Sequence, residues 1–312
     1  MRHALRILFL ASLASGLHAD VTVRYRTEMK GSLQAMMQQA SPQVSSLMPQ
    51  ETKLLIKGSK SYNQFGGTFA ISDSSTKEFI VLDQVNKKYA VTTPEEYFRS
   101  IKTEMPAMPP MVTQMLATLQ TKVDSKLTGQ TETIKGIESA EREITISVEG
   151  PAMPNMPPGP MIRLVIHIWS ATPAAIEKSA ALRELVAFNQ NAAAGLSSNA
   201  GMKQLFDMVP GITDKLGPVL QEMSKPGNVM TRVHCEMFMP ALAAMMKQMP
   251  AGSSPVGEID PKGSLMNVNV EIAELSTDAI PDSQFQPPAE YQKQPIDEFM
   301  KAYLARLKAP AK

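Results

Sequence analysis

Val21, Val23, Tyr25, Thr27 and Met29 alternate with Thr22, Arg24, Arg26 and Glu28. A period of two predicts a half-buried antiparallel strand. Thr52 to Lys60 reads as a second strand, with Gly58 near its end. Gly66-Gly67 turns the chain between Tyr62–Phe65 and Thr68–Ile71. After the turn cluster Asp73–Thr76, Lys77 to Asp83 and Lys88 to Thr92 predict a hairpin around Val85-Asn86-Lys87. Further strands are expected at Lys122 to Thr128, Glu141 to Glu149, Met161 to Trp169, Val229 to Phe238 and Leu265 to Leu275.

Helical spacing lies between these strands. Ser32 to Leu47 carries a loose apolar face broken by Pro42, and Pro110 to Leu119 is a second candidate. Thr93-Pro94-Glu95-Glu96 has the form of an N-cap followed by proline in the first turn. The strongest helical pattern runs from Pro173 to Asn191 behind Thr172 as its cap. Thr213 to Met223 and Ala241 to Met249 are shorter, and an amphipathic helix is expected from Pro295 to Lys308. The Pro/Met-rich stretches at 105–111 and 151–161 read as loops, because proline removes donors and restrains the residue before it. Many short antiparallel strands with helical insertions near 31–50, 94–119 and 171–224 predict an α+β fold. No βαβ rhythm suggests a Rossmann-type sheet.

The first residues add a location. Met1 to Arg6 is short and positive, Ile7 to Ala14 is apolar, and Leu17-His18-Ala19 ends on a small residue. That order predicts a secretory signal peptide over 1–19 and a single extracytoplasmic domain over 20–312. With no cysteine at the cleavage edge, no lipid anchor is expected, and no later stretch reads as a transmembrane helix. Taking Arg2 and Arg6 from the 31 basic residues leaves 29 against 30 acidic ones. A balanced surface argues against nucleic acid as a partner. One cysteine, Cys235, excludes an intramolecular disulfide. There are 23 methionines and a single tryptophan, Trp169, so flexible thioethers take over filling that aromatics usually provide.

Four segments carry a family pattern. Phe79-Ile80-Val81-Leu82-Asp83 followed by Lys87-Lys88-Tyr89 resembles the "stored value, then measured value" hairpin of a group of secreted bacterial proteins of unknown function. Thr128-Gly129 through Ile134-Lys135-Gly136-Ile137 resembles their "TG-x-x-x-x-I-x-G" turn into a strand, and Ile168-Trp169 their strand-ending tryptophan. Phe285-Gln286-Pro287-Pro288-Ala289-Glu290-Tyr291 resembles their closing "F-x-x-P-x-x-Y" segment. These proteins are similar in pattern to the LolA-like periplasmic lipoprotein carriers. The resemblance implies a strongly curved antiparallel sheet, a half-barrel, packed on helices. It brings no catalytic residue with it.

Chemistry-bearing patterns are sparse. His167 and His234 both fall in strand patterns among apolar neighbours, where a histidine is usually a satisfied sheet residue. Ser74-Ser75-Thr76-Lys77 matches S-x-x-K but sits in a turn, not at a helix start. His234 and Cys235 are adjacent on a strand and so point to opposite faces. Met105, Met108 and Met111, with Met153 and Met156, place soft thioethers at loop spacings that suit Cu(I). Plastic apolar packing is the favoured account of them, since methionines are also spread through Met29, Met36, Met37, Met202 and Met208. The leading expectation is a non-enzymatic envelope binding module or carrier for a hydrophobic ligand, an acyl chain, lipoprotein tail or apolar peptide, with no cofactor. An exported Cu(I)-binding protein and a structural envelope protein are the alternatives.

Overall fold

The computed structural model describes residues 20–31, 50–65, 68–104, 118–150, 159–195, 227–240 and 264–308. Its twelve strands are β1 (Val21–Lys30), β2 (Glu51–Lys57), β3 (Lys60–Phe65), β4 (Thr68–Asp73), β5 (Glu78–Asp83), β6 (Lys88–Thr92), β7 (Gln120–Ile134), β8 (Ile137–Glu149), β9 (Ile162–Ala171), β10 (Met230–Phe238), β11 (Ser264–Ser276) and β12 (Gln292–Lys293). The described helices are α1 (Pro94–Glu104), α2 (Pro173–Lys178), α3 (Ala180–Gly195) and α4 (Ile296–Lys308). All strands join one open, curved sheet in the order β12-β6-β5-β4-β3-β2-β1-β11-β10-β9-β8-β7. Among the described residues every pairing is antiparallel except that of β12 with β6. The fold is therefore a sheet with helices, as expected, but sheet dominates. The expected helices at Ser32 to Leu47, Thr213 to Met223 and Ala241 to Met249 lie outside the described residues, as does Pro110 to Leu119 up to Ala117.

Period two becomes a strand wherever one face is covered. In β1, Val21 and Val23 are fully buried while Arg24, Arg26 and Glu28 face water. In β5 the alternation disappears, because Ile80, Val81, Leu82 and Asp83 are all buried. Both faces of this strand are covered. Ile80 and Leu82 pack with Ile280 and Phe285, whereas Val81 packs with Phe299, Met300 and Tyr303 of α4. The predicted strand Thr52 to Lys60 ends at Lys57: Gly58, at φ +58°, starts a turn and Lys60 opens β3.

The helices begin where their caps place them. Thr93 Oγ1 accepts from Glu96 N–H at 3.2 Å, and Thr172 Oγ1 from Ala175 N–H at 3.2 Å. The single helix expected from Pro173 to Asn191 is two. Ser179 adopts extended backbone (φ −113°, ψ 119°), and its Oγ accepts from Leu182 N–H at 3.3 Å. A serine hydroxyl offers the backbone this alternative to helix, so Ser179 ends α2 and caps α3. The reorientation lets Ala181, Leu182 and Leu185 reach the main core with Val21, Val23, Ile56, Ile134 and Ile272.

Candidate functional site

Two polar or open features stand out against this core. The first is a polar network across neighbouring strands. Glu141 on β8 is 5% exposed. It accepts from Thr128 Oγ1 at 2.6 Å and shares a 2.8 Å hydrogen bond with His167 Nδ1 on β9. His167 stacks on Trp169 with ring centroids 5.9 Å apart and faces His234 of β10 at 6.2 Å. Arg232 lies over the Trp169 ring at 5.2 Å and donates to Glu271 and Glu132, each at 2.7 Å. A buried carboxylate costs free energy unless it is paired and hydrogen-bonded, and here each of these acids is. The two histidines are cross-strand neighbours, placed together by register. Cys235 pairs with Ile166 and Val268, so its side chain lies on the other face from His234. Burial, with Glu236 beside it, pushes the Cys235 thiol above its ordinary value.

The motif around Thr128 takes an unexpected form. It is a bulge inside the long strand β7, between Leu127 and Thr131, not a turn into a strand. The turn comes at Lys135-Gly136, with φ +50° and +82°, between the paired residues Ile134 and Ile137. Two positive φ values in a two-residue connection make a type I′ turn.

The second feature is a cleft of about 770 Å³ beside that turn. Lys135, Gly136, Ile137 and Glu138 form one side, and Ala175, Lys178, Ser179 and Leu182 of the α2–α3 pair the other. Ile272, Ala273, Glu274 and Leu275 of β11 close it. Ala273 is a bulge residue: Tyr25 pairs with Ile272 and Arg24 with Glu274, leaving it unpaired. Lys135 and Ala273 also line an adjoining groove of about 170 Å³ with Arg26, Glu28, Asn269 and Glu271. The acids of the cleft are engaged. Glu274 pairs with Arg24 at 3.0 Å, and the Glu138 carboxylate accepts from Thr172 Oγ1 at 3.0 Å. Among the described residues neither Lys135 nor Lys178 has an ion-pair partner, so the uncompensated charge at the cleft is positive.

The candidates read from sequence fall elsewhere. Met105, Met108, Met111, Met153 and Met156 lie outside the described residues. Ser74 Oγ donates to Ser59 O at 3.1 Å and Ser75 Oγ to Asp73 Oδ1 at 2.6 Å, so those hydroxyls hold the β4–β5 turn. No group of three His, Cys, Asp or Glu among the described residues is placed to hold a metal. No described helix is long and apolar enough to cross a membrane. Sequence reasoning missed the cleft because its three sides come from distant parts of the chain, around Gly136, Lys178 and Ala273, and share no pattern.

No family model matches the chain, and no curated protein matches it. The solved structure of PNGF-II is similar to it at 9% identity and a TM-score of 0.32, over 91% of this chain and 33% of that one. The chain thus spans about a third of that protein, and a likeness at this level carries no argument about fold or activity.

Proposed function

We propose that this protein is an exported, non-enzymatic binding module of the cell envelope that carries an acyl chain in the cleft between its sheet and the α2–α3 pair. The observation that carries the reading is the cleft itself, about 770 Å³, a size within the range of small-molecule sites. The half-buried Ala175 and Leu275 supply apolar wall, backed by the core residues Ile137, Leu182 and Ile272 behind them. Lys135 and Lys178 suit an anionic head at the end of the chain, since the neighbouring carboxylates are already paired or hydrogen-bonded. The LolA-like resemblance at Phe79–Asp83 and Phe285–Tyr291 supports the reading by analogy. Under this reading Glu141, His167 and Arg232 stabilise the sheet beside the cleft and do no chemistry.

Native mass spectrometry of the protein purified from the envelope, with metal analysis of the same sample, tests this. The expected result is an added mass of lipid size that disappears on delipidation. A bare polypeptide mass overturns the carrier reading. Stoichiometric copper without lipid replaces it with metal binding.

A further inference from the structure

Strand β7 is one margin of the sheet. It pairs with β8 along one side, and no described strand pairs with the other. At fifteen residues it is long for an edge, and Leu127 is 69% exposed on it. Long edges that present unpaired backbone and an apolar side chain invite pairing with another strand.

The direction of its backbone groups follows from the ladder. Thr172 N–H donates to Glu138 O and Met161 N–H to Val148 O, so even-numbered residues of β8 bond away from β7 and odd-numbered ones toward it. Lys122, Asp124 and Lys126 lie opposite Ser147, Thr145 and Glu143. Their N–H and C=O groups therefore turn inward, and those of Val123, Ser125 and Leu127 turn outward. An antiparallel partner must pair through these outward residues.

We infer that β7 pairs with β7 of a second copy of this chain, antiparallel about a two-fold axis through Ser125. A two-fold interface must be self-complementary, and this register is. Ser125 meets Ser125 of the partner subunit, Asp124 meets the partner's Lys126 twice over, and Val123 covers the partner's Leu127. Only even shifts keep the outward groups in pairs. The next shift one way sets Asp124 against Asp124, and the next the other way sets Lys126 against Lys126. Opposite charges directly across a ladder stabilise it and like charges oppose it, so the charge order disfavours both neighbouring registers; a two-fold at Val123 would also set Asp124 against Lys122, but only the Ser125 centre covers the exposed Leu127 from within the strand. Asp124 has no ion-pair partner within its own chain among the described residues, while Lys126 keeps Glu143 at 2.9 Å and stands between the two carboxylates.

Sedimentation velocity of the full mature chain across a concentration series tests the pairing, with circular dichroism to confirm that each variant folds. A monomer–dimer equilibrium is expected. Asp124→Lys should weaken it at least about tenfold, and Asp124→Lys with Lys126→Asp should restore it. In a Cys235→Ser background, Ser125→Cys should form a disulfide dimer on oxidation, because directly opposed hydrogen-bonded residues lie about 5.5 Å apart between Cα atoms. Val123→Cys, off the axis, should not. A chain that stays monomeric at every concentration and gives no Ser125→Cys crosslink overturns the proposal. So does a dimer indifferent to the charge inversion, or one that crosslinks through Val123→Cys instead. None of these outcomes depends on whether lipid occupies the cleft.

Discussion

Arg306, on the last helix, donates to the Asp83 carboxylate at the head of the β5–β6 turn across 223 residues of sequence, with Nη1 2.5 Å from Oδ1. Asp83 is 3% exposed and also accepts from Val85 N–H, Asn86 N–H and Asn86 Nδ2. Burial alone would raise its pKa, but the guanidinium and the Asn86 bonds outweigh it and hold the carboxyl below its ordinary value of 3.8. A depressed folded-state pKa gives stability that is present above the ordinary carboxylate range and lost as pH falls through the folded value. Arg306→Ala should cost about 3 kcal/mol at pH 7, because it strands a buried charge. In thermal unfolding, the advantage of the native protein over Asp83→Asn should be steady at neutral pH and shrink as pH falls below about 4. An acid-independent difference would refute the linkage.

Tyrosine ionisation gives the opposite sign. Burial pushes the Tyr25, Tyr62 and Tyr97 hydroxyls to about 12, each from 10.0. Folding holds these groups neutral, so stability is complete below about pH 10 and falls as pH rises from there toward about 12. Ultraviolet titration should find these three tyrosines, and Tyr291 with them, ionising late, with alkaline unfolding beginning above about pH 10. Six tyrosines ionising together near the ordinary value in a folded protein would contradict the burial.

The helix break at Ser179 is a local preference with a measurable cost. Ser179→Ala removes the bond to Leu182 N–H, and Thr172→Ala the one to Ala175 N–H. Each should lower stability by about 1 kcal/mol in denaturant unfolding, with an unchanged m-value. Ser179→Ala should also draw α2 and α3 toward one continuous helix and so displace the cleft wall.

Filling the cleft separates binding from stability. Ala175→Trp, at a half-buried cleft position, should abolish lipid co-purification while moving the thermal midpoint by only a few degrees. Lys135→Glu with Lys178→Glu should lower uptake of a fatty acid more than that of a neutral acyl ester. Equal losses for both would remove the lysines from ligand recognition.

How far these features were legible in the sequence depended on whether one face of an element stayed dry along its length. β1 and α4 each bury one face, and both were readable from periodicity. β8 was only partly read, as Glu141 to Glu149, because its buried side changes. Ile137, Ser139 and Glu141 are buried at odd positions, then Ile144 and Ile146 at even ones. A fixed period cannot follow that switch. Strand β12 escaped notice because two residues, Gln292 and Lys293, carry no period at all. The cleft depends on the β11 bulge at Ala273, which realigns Glu274 with Arg24, and nothing in Ile272–Leu275 signals an unpaired residue.

The parallel pairing of β12 with β6 bears on the order of events in folding. Gln292 N–H and Gln294 N–H donate to Lys87 O and Tyr89 O, Ile280 N–H donates to Asp20 Oδ2, and Lys57 Nζ donates to Ile280 O. Strands β2 to β6 emerge from synthesis early, but their two faces are finished by residues 280–308. Until those arrive, Ile80 and Leu82 lack Ile280 and Phe285, and Val81 lacks Phe299, Met300 and Tyr303. Closing so long a loop is slow, and the early hairpins are left exposed to association in the meantime. A chain whose early strands are completed by its residues 280–308 stays loose until those residues have been made.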